Sequence, residues 1–217
     1  MFKRALPWSR KMTSPGDALS IKGNKVILRE KRIEDAPDDY AWRVDEELAR
    51  LDATRPLRMS YEDFVKYSRE ELTYPSPWSK RIAVDTHDGK HIGNCMYYDI
   101  DLRRGETEIG IMIDREHWNH GYGTDAVDTL LNHIFGTTTI SRVYLHTLDW
   151  NHRARRAFAK SGFREVKPVR RNGLDFIQME IWRDEWDRHK QGLRRQDDAN
   201  NTPHEPEPGH TRVSGAE

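Results

Sequence analysis

Cysteine is almost absent from this sequence. Cys95 stands alone among 217 residues, so no intrachain disulfide can form, and the chain fits a reducing compartment such as the cytoplasm. Its setting, HIGNCMYYDIDL, is an apolar, strand-like run that suits a buried, inert thiol better than a nucleophile. Net charge is absent too, because 36 basic residues balance 36 acidic ones. That balance gives no bulk attraction to nucleic acid or to an anionic membrane. No apolar run approaches the ~20 residues needed to cross a bilayer. The basic start MFKRALPWSRK lacks the apolar stretch of a secretory signal. No segment repeats.

Hydrophobic residues make up 35% of the chain and charged residues 33%, and much of that polarity lies at the two ends. Residues 1–22 read as a flexible basic leader. Residues 184–217 read as a short charged helix followed by QGLRRQDDANNTPHEPEPGHTRVSGAE, which has too little apolar surface to offset the entropy of ordering. The folded unit expected is therefore residues 23–183.

Periodicity divides that unit. KVILRE reads as a strand. Residues 34–51 read as one helix, with Pro37 near its start and Tyr40, Ala41, Val44, Leu48 and Leu51 near helical spacing. Ser60 with Asp63 opens a second helix carrying Phe64, Tyr67 and Leu72. RIAVDT, HIGNCMYYDIDL and TEIGIMID then read as three strands joined by glycine-bearing turns. Ala126, Val127, Leu130, Leu131, Ile134 and Phe135 mark a helix packed on a sheet. SRVYLHTL, a helix over 151–161, and the hairpin FREVKPVR–LDFIQMEIW complete a βααβββαβαββ order. This predicts a mixed α/β single domain of seven strands, with its crevice between the fourth and fifth.

The stretch HWNHGYGTDAV lies between the fourth strand and its helix. Gly121 and Gly123 lack the third glycine of a dinucleotide fingerprint and the Gly-Lys-Ser/Thr of a phosphate loop. Their position is informative nonetheless. A helix start offers unpaired N–H groups and a positive dipole end, and a missing Cβ lets an anion approach them. Phosphate binding and simple helix–strand packing are both compatible with this stretch alone. About 30 residues on comes NHRARRAFAKSGF, a helix opened by Asn151 and lined by arginines.

Together the two motifs resemble the GNAT superfamily of acyl-CoA-dependent N-acyltransferases. The loop Trp118-Asn119-His120-Gly121-Tyr122-Gly123 is similar to that family's Gln/Arg-x-x-Gly-x-Gly/Ala. Asn151, Ala154, Phe158, Lys160, Gly162 and Phe163 are similar to its later helix. The resemblance covers roughly residues 24–183. Trp118, the preceding EIGIMIDREHW and the closing MEIWRDEW look like the RimJ/RimL-like branch, which acetylates ribosomal-protein N-termini and also small amines.

The resemblance implies a three-layer fold whose mostly antiparallel sheet is splayed between its fourth and fifth strands. It implies acetyl-CoA as co-substrate, with the amides of Asn119, His120, Gly121, Tyr122, Gly123 and Thr124, beside Trp118, holding its pyrophosphate. Backbone groups of Ile111, Met112 and Ile113 would pair with the pantetheine arm, and Asn151 would meet that arm from across the crevice. Arg153 and Arg156 would serve the cofactor phosphates. On the fourth strand, Glu108 matches a carboxylate that often acts as base, with His146 the second candidate and Glu106 less well placed. The family's usual tyrosine acid is Phe158 here, so Tyr122, Tyr144 or a water would have to stand in.

The implied acceptor is an amine, either a protein N-terminus or a small polar amine of aminoglycoside, amino-sugar or polyamine type. Asp52, Arg55 and Arg58 on one side, with Arg170, Arg171 and Asp175 on the hairpin, offer it a mixed-charge lining. An α-amine is the favoured acceptor, because its pKa near ~7.7–8.0 asks less of a base than lysine's ~10.4. A CoA-binding sensor or adaptor without catalysis is the reading from another class. No nucleic acid or membrane partner is expected, and the chain is expected to be a monomer or homodimer. His117-x-x-His120 lacks acidic or cysteine partners at ligand spacing, so no metal is expected either.

Overall fold

A computed structural model describes residues 19–200, so the start of the expected leader and residues 201–217 lie outside the described residues. The strands are β1 (Ser20–Lys22), β2 (Val26–Glu30), β3 (Ser79–Thr86), β4 (His91–Asp101), β5 (Glu106–Ile113), β6 (Arg142–Leu148), β7 (Arg164–Arg171) and β8 (Leu174–Trp182). They form one sheet in the order β1-β2-β3-β4-β5-β6-β8-β7, antiparallel throughout except for β5 and β6. The helices are α1 (Ala36–Val44), α2 (Glu46–Leu51), α3 (Tyr61–Thr73), α4 (Tyr122–Thr137), α5 (His152–Lys160) and α6 (Arg183–Asn200). This is the mixed α/β architecture expected from the sequence.

Three details differ from expectation, each for a local reason. The sheet has eight strands, not seven, because Ser20–Lys22 pair with β2 and leave the leader. Three residues carry no periodicity of their own, and the bonds come from β2's open edge. The helix expected over 34–51 is two helices. Asp45 is extended (φ −68°, ψ 125°), and its carboxylate accepts the Leu48 N–H at 2.8 Å, capping α2 in place of continuing α1. Finally, α6 is longer than a short helix. It reaches Asn200 and so includes 191–200, a stretch read as tail. Its hold on the domain is Trp186, fully buried, whose indole donates to Asn132 at 3.3 Å. The Ser60 cap forms as expected, but Tyr67 and Leu72 on α3 remain exposed.

Alternation along the strands gives the sheet two unlike faces. Val26, Leu28, Ile82, Val84, Ile109, Val143, Leu145, Met179 and Ile181 point to one side. There they pack with Ala126, Val127, Leu130, Leu131 and Ile134 of α4, with Phe158 and Phe163, and with Trp186 of α6. Cys95 lies in this core, and burial pushes its thiol up to about 12, which leaves it unreactive. The other face is polar. Arg29 bonds Asp85 at 2.5 Å and Asp35 at 2.7 Å, while His91 lies between Asp85 and Asp39. Lys31 closes the set with Asp39 at 2.5 Å. These ion pairs seat α1 on the sheet. Burial would raise Asp35, but hydrogen bonds from Arg29 and the Arg32 amide, with Lys31 nearby, hold it down at about 2.

Candidate active site

The crevice begins where two strands part. β6 pairs with β5 only from Glu106↔Arg142 to Glu108↔Tyr144. Past that point, among the described residues, Ile111, Met112 and Ile113 have a strand partner on the β4 side alone. The opening leads into a cleft of about 360 Å³. Ile111–Ile113 and the loop containing Trp118, Asn119, Gly121, Gly123 and Thr124 line one wall. Asn151, Arg153, Arg156, Phe158 and Lys160 line the other, and Leu48, Leu51 and Asp52 border it from α2.

At one end the loop is shaped by backbone. Asn119 has φ 64° and Gly121 φ 82°, and Gly121 is the N-cap of α4. A side chain at 121 would be strained in that conformation and would press on Lys25, whose Nζ lies 3.1 Å from where a Cβ would stand. Lys25 also donates to the His120 carbonyl at 2.8 Å. Asp125, in the first turn of α4, accepts the amides of Asn24, Lys25 and Val26 at 3.0, 2.7 and 3.0 Å. Loop, helix start and the β1–β2 turn are thereby fastened together. Lys25 escapes a sequence reading, since nothing in KVILRE signals a residue 95 positions away.

Across the cleft, the guanidinium of Arg153 lies 3.2 Å from the centre of the Trp118 ring, and burial lowers its pKa. The Trp118 indole donates to the Ile113 carbonyl at 2.7 Å, so that carbonyl already has a donor. The Asn151 oxygen accepts the Ala154 N–H at 3.2 Å and caps α5. The donors at this end are the opening amides of α4 at its αL glycine cap and, on the opposite wall, Arg153, Arg156 and Lys160, with Lys25 behind Gly121. They fit a polyanionic phosphate ester.

A second group of side chains lies outside the cleft lining, on the polar face of the sheet, where Glu108↔Tyr144 is the last pair before β5 and β6 part. The Glu108 carboxylate and the His146 imidazole, each about 5% exposed, meet at 2.8 Å through Oε1 and Nδ1. Tyr98 is in register with Glu108 across β4 and β5, and burial, then the Glu108 charge, pushes its phenol up. Tyr144 is in register on the other side, and its ring stands edge-on to His146 at 5.8 Å. The same two influences raise its phenol as well. Arg171, from the end of β7, approaches Glu108 Oε2 at 3.9 Å. Glu106 is bound to Arg142 at 2.6 Å and is thereby occupied.

The two candidate bases are thus brought together, while the other expectations divide. Phe158 lines the cleft but also packs edge-to-face on Phe163 at 5.9 Å. Tyr122 packs against the core near His117 and His120 and is not part of the cleft wall. Tyr144 is the stand-in tyrosine that adjoins Glu108. Tyr98 is missing from the sequence reading, although strand alternation opposite Glu108 was a usable signal. Arg170 turns to Asp175 at 3.1 Å, away from the pair. Among the described residues no group of three or more His, Cys, Asp or Glu side chains is arranged to hold a metal ion, and no helix is long and apolar enough to cross a membrane.

Comparison with known proteins bears on this geometry. The family model of an acetyltransferase (GNAT) domain matches residues 25–164. YoaA of Bacillus subtilis, named as an uncharacterized N-acetyltransferase, is 20% identical over 151 residues, spanning 69% of this chain and 85% of its own. A spermidine N-acetyltransferase from Vibrio cholerae, solved with CoA and spermine, superposes with a TM-score of 0.67 at 17% identity, covering 74% of this chain and 97% of its own. RimJ of Mycobacterium smegmatis, solved with CoA-disulfide, also gives 0.67, at 18% identity over 84% of this chain and 98% of its own.

Proposed function

Since the chain belongs to the GNAT acetyltransferase family and is an acyltransferase, we propose that it moves an acetyl group from acetyl-CoA to the α-amine of a protein N-terminus. The observation that carries this reading is the cleft between the parted β5 and α5, closed at one end by the glycine-bearing start of α4. Acetyl-CoA supplies an activated thioester. The amides of the loop and of the start of α4, from Asn119 to Thr124, hold its pyrophosphate, with Lys25, Arg153 and Arg156 as cationic partners. The β5 edge at Ile111 and Met112 guides the pantetheine arm, faced by Asn151.

The Glu108–His146 pair takes the proton that the amine loses as its nitrogen bonds the carbonyl carbon. Because Nδ1 is held by Glu108, Nε2 is the nitrogen left to receive it. A β5 N–H steadies the oxyanion while the C–S bond breaks. Sulfur leaves as thiolate, a tolerable leaving group since a thiol has a pKa of ~8.5. Phe158 therefore slows the reaction without preventing it. The lone cysteine, which permits no intrachain disulfide, supports a reducing compartment such as the cytoplasm.

The test is acetyl-CoA titration with a thiol-release assay on N-terminal peptides and small amines. Saturable thiol release with peptides is the expected result. Binding with no release on any acceptor would sink the proposal and leave a CoA sensor in its place.

A further inference from the structure

The geometry points to Arg171 as the residue that selects the acceptor, by reading a carbonyl or carboxylate oxygen on the carbon attached to the amine-bearing carbon. This rests on the function proposed above. Arg171 comes from the far edge of the sheet, at the end of β7, beyond β8 and β6. Its neighbour Arg170 bonds Asp175 inside the hairpin, yet Arg171 approaches Glu108 at 3.9 Å. That distance is too long for a formed hydrogen bond, so the guanidinium faces the carboxylate with donors still to place. It is also half exposed, at 49%, where Glu108 is 5%. A cation that is wet on one side and turned to the reacting pair on the other is placed to meet an incoming molecule.

The acceptor must bring its nitrogen to His146 Nε2, a ring away from the Glu108 oxygens. Arg171, 3.9 Å from the Glu108 carboxylate that holds this imidazole, then borders the groups attached to that nitrogen. A peptide N-terminus carries its first carbonyl oxygen there, and a free amino acid its carboxylate. Either would accept from the planar guanidinium fork. A polyamine carries only methylenes and further cations, which Arg171 would repel. The arginine thus favours an α-amino carbonyl acceptor and disfavours a polycation.

The test uses the full-length protein, acetyl-CoA and three acceptors. One is a short amidated peptide. Another is its analogue with the first carbonyl replaced by methylene, and spermidine serves as a third. The two amines differ in basicity, but that difference is common to every variant, so a double ratio removes it. Arg171→Ala should raise KM for the peptide and erase roughly tenfold or more of the preference over the methylene analogue. The kcat at saturation and the KM for acetyl-CoA should stay within about twofold, and Arg171→Lys should recover part of the preference. Lys167→Ala, exposed on the same strand, should change nothing.

A double ratio within about threefold of unity would overturn the assignment, as would equal loss of kcat on both acceptors, which would mean that Arg171 acts through the Glu108–His146 pair. Efficient use of spermidine by the unaltered protein would overturn it too. Absence of thiol release with every acceptor would instead refute the acetyltransferase reading on which this one stands.

Discussion

The two ends of the proposed active site, one for phosphate and one for the amine, are made differently. The phosphate end is largely main chain: two left-handed residues and the opening amides of α4, within a few positions of one another. The amine end is all side chain, with Glu108, His146, Tyr98 and Arg171 delivered by four strands. A backbone site tolerates changes of side chain but no change of conformation. A side-chain site keeps its shape under substitution and loses its chemistry.

The largest effect should follow from forcing the first kind of site. Gly121→Asp combines a strained φ with a carboxylate at the anion position. It should weaken acetyl-CoA binding by about a hundredfold or more, measured by calorimetry. Near-normal affinity would show that the loop is not the phosphate cradle. At the other end, His146→Ala should cut kcat by about 10²-fold while leaving the acetyl-CoA Kd within twofold. Glu108→Gln should follow the same pattern less severely, because it keeps a partner for His146. If either variant lost affinity for the cofactor instead, the two ends would not be separable.

A smaller effect concerns how α1 is anchored on the polar face of the sheet, the face that also carries the Glu108–His146 pair. Asp35 has a folded pKa of about 2, below its ordinary 3.8, so its contribution is complete above pH 3.8 and is lost as pH falls through about 2. The shift corresponds to about 2 kcal/mol, which Asp35→Asn should remove at neutral pH, as read from urea midpoints. In acid, hydrogen exchange should quicken in α1 and α2 before α4. Simultaneous loss would mean that α1 and α4 share one anchor. The smallest change is Phe158→Tyr, expected to raise kcat only a few-fold, since thiolate departs unaided near neutral pH. A rise of ~10²-fold would mean that the missing acid limits the enzyme.

The same contrast explains what the sequence disclosed. The phosphate end is contiguous, so HWNHGYGTDAV displays its glycines and helix start together. Most of the fold was legible for a similar reason, since alternation and helical spacing are local. Glu108 and His146 were each legible as candidates, but their meeting depends on the parallel register of β5 and β6. Arg171 was one of several hairpin charges, and only the folded chain separates it from Arg170. The break at Asp45 was missed because an aspartate inside a helical pattern looks like a polar-face residue until its carboxylate is seen to cap the next turn.

Asp125 has one more consequence, which concerns time and not geometry. Its three bonds join residues about 100 positions apart, from 24–26 to 125. Closing a loop of that length costs entropy before any contact rewards it, so such pairings form slowly. This support for the loop therefore ties the start of the folded unit to its middle, a pairing that local contacts alone do not bring about. A ligand that binds the finished cradle and not the unfolded chain should draw the whole fold forward. CoA should then raise the melting temperature of the entire domain, and Asp125→Ala should slow refolding in a way that added CoA partly restores.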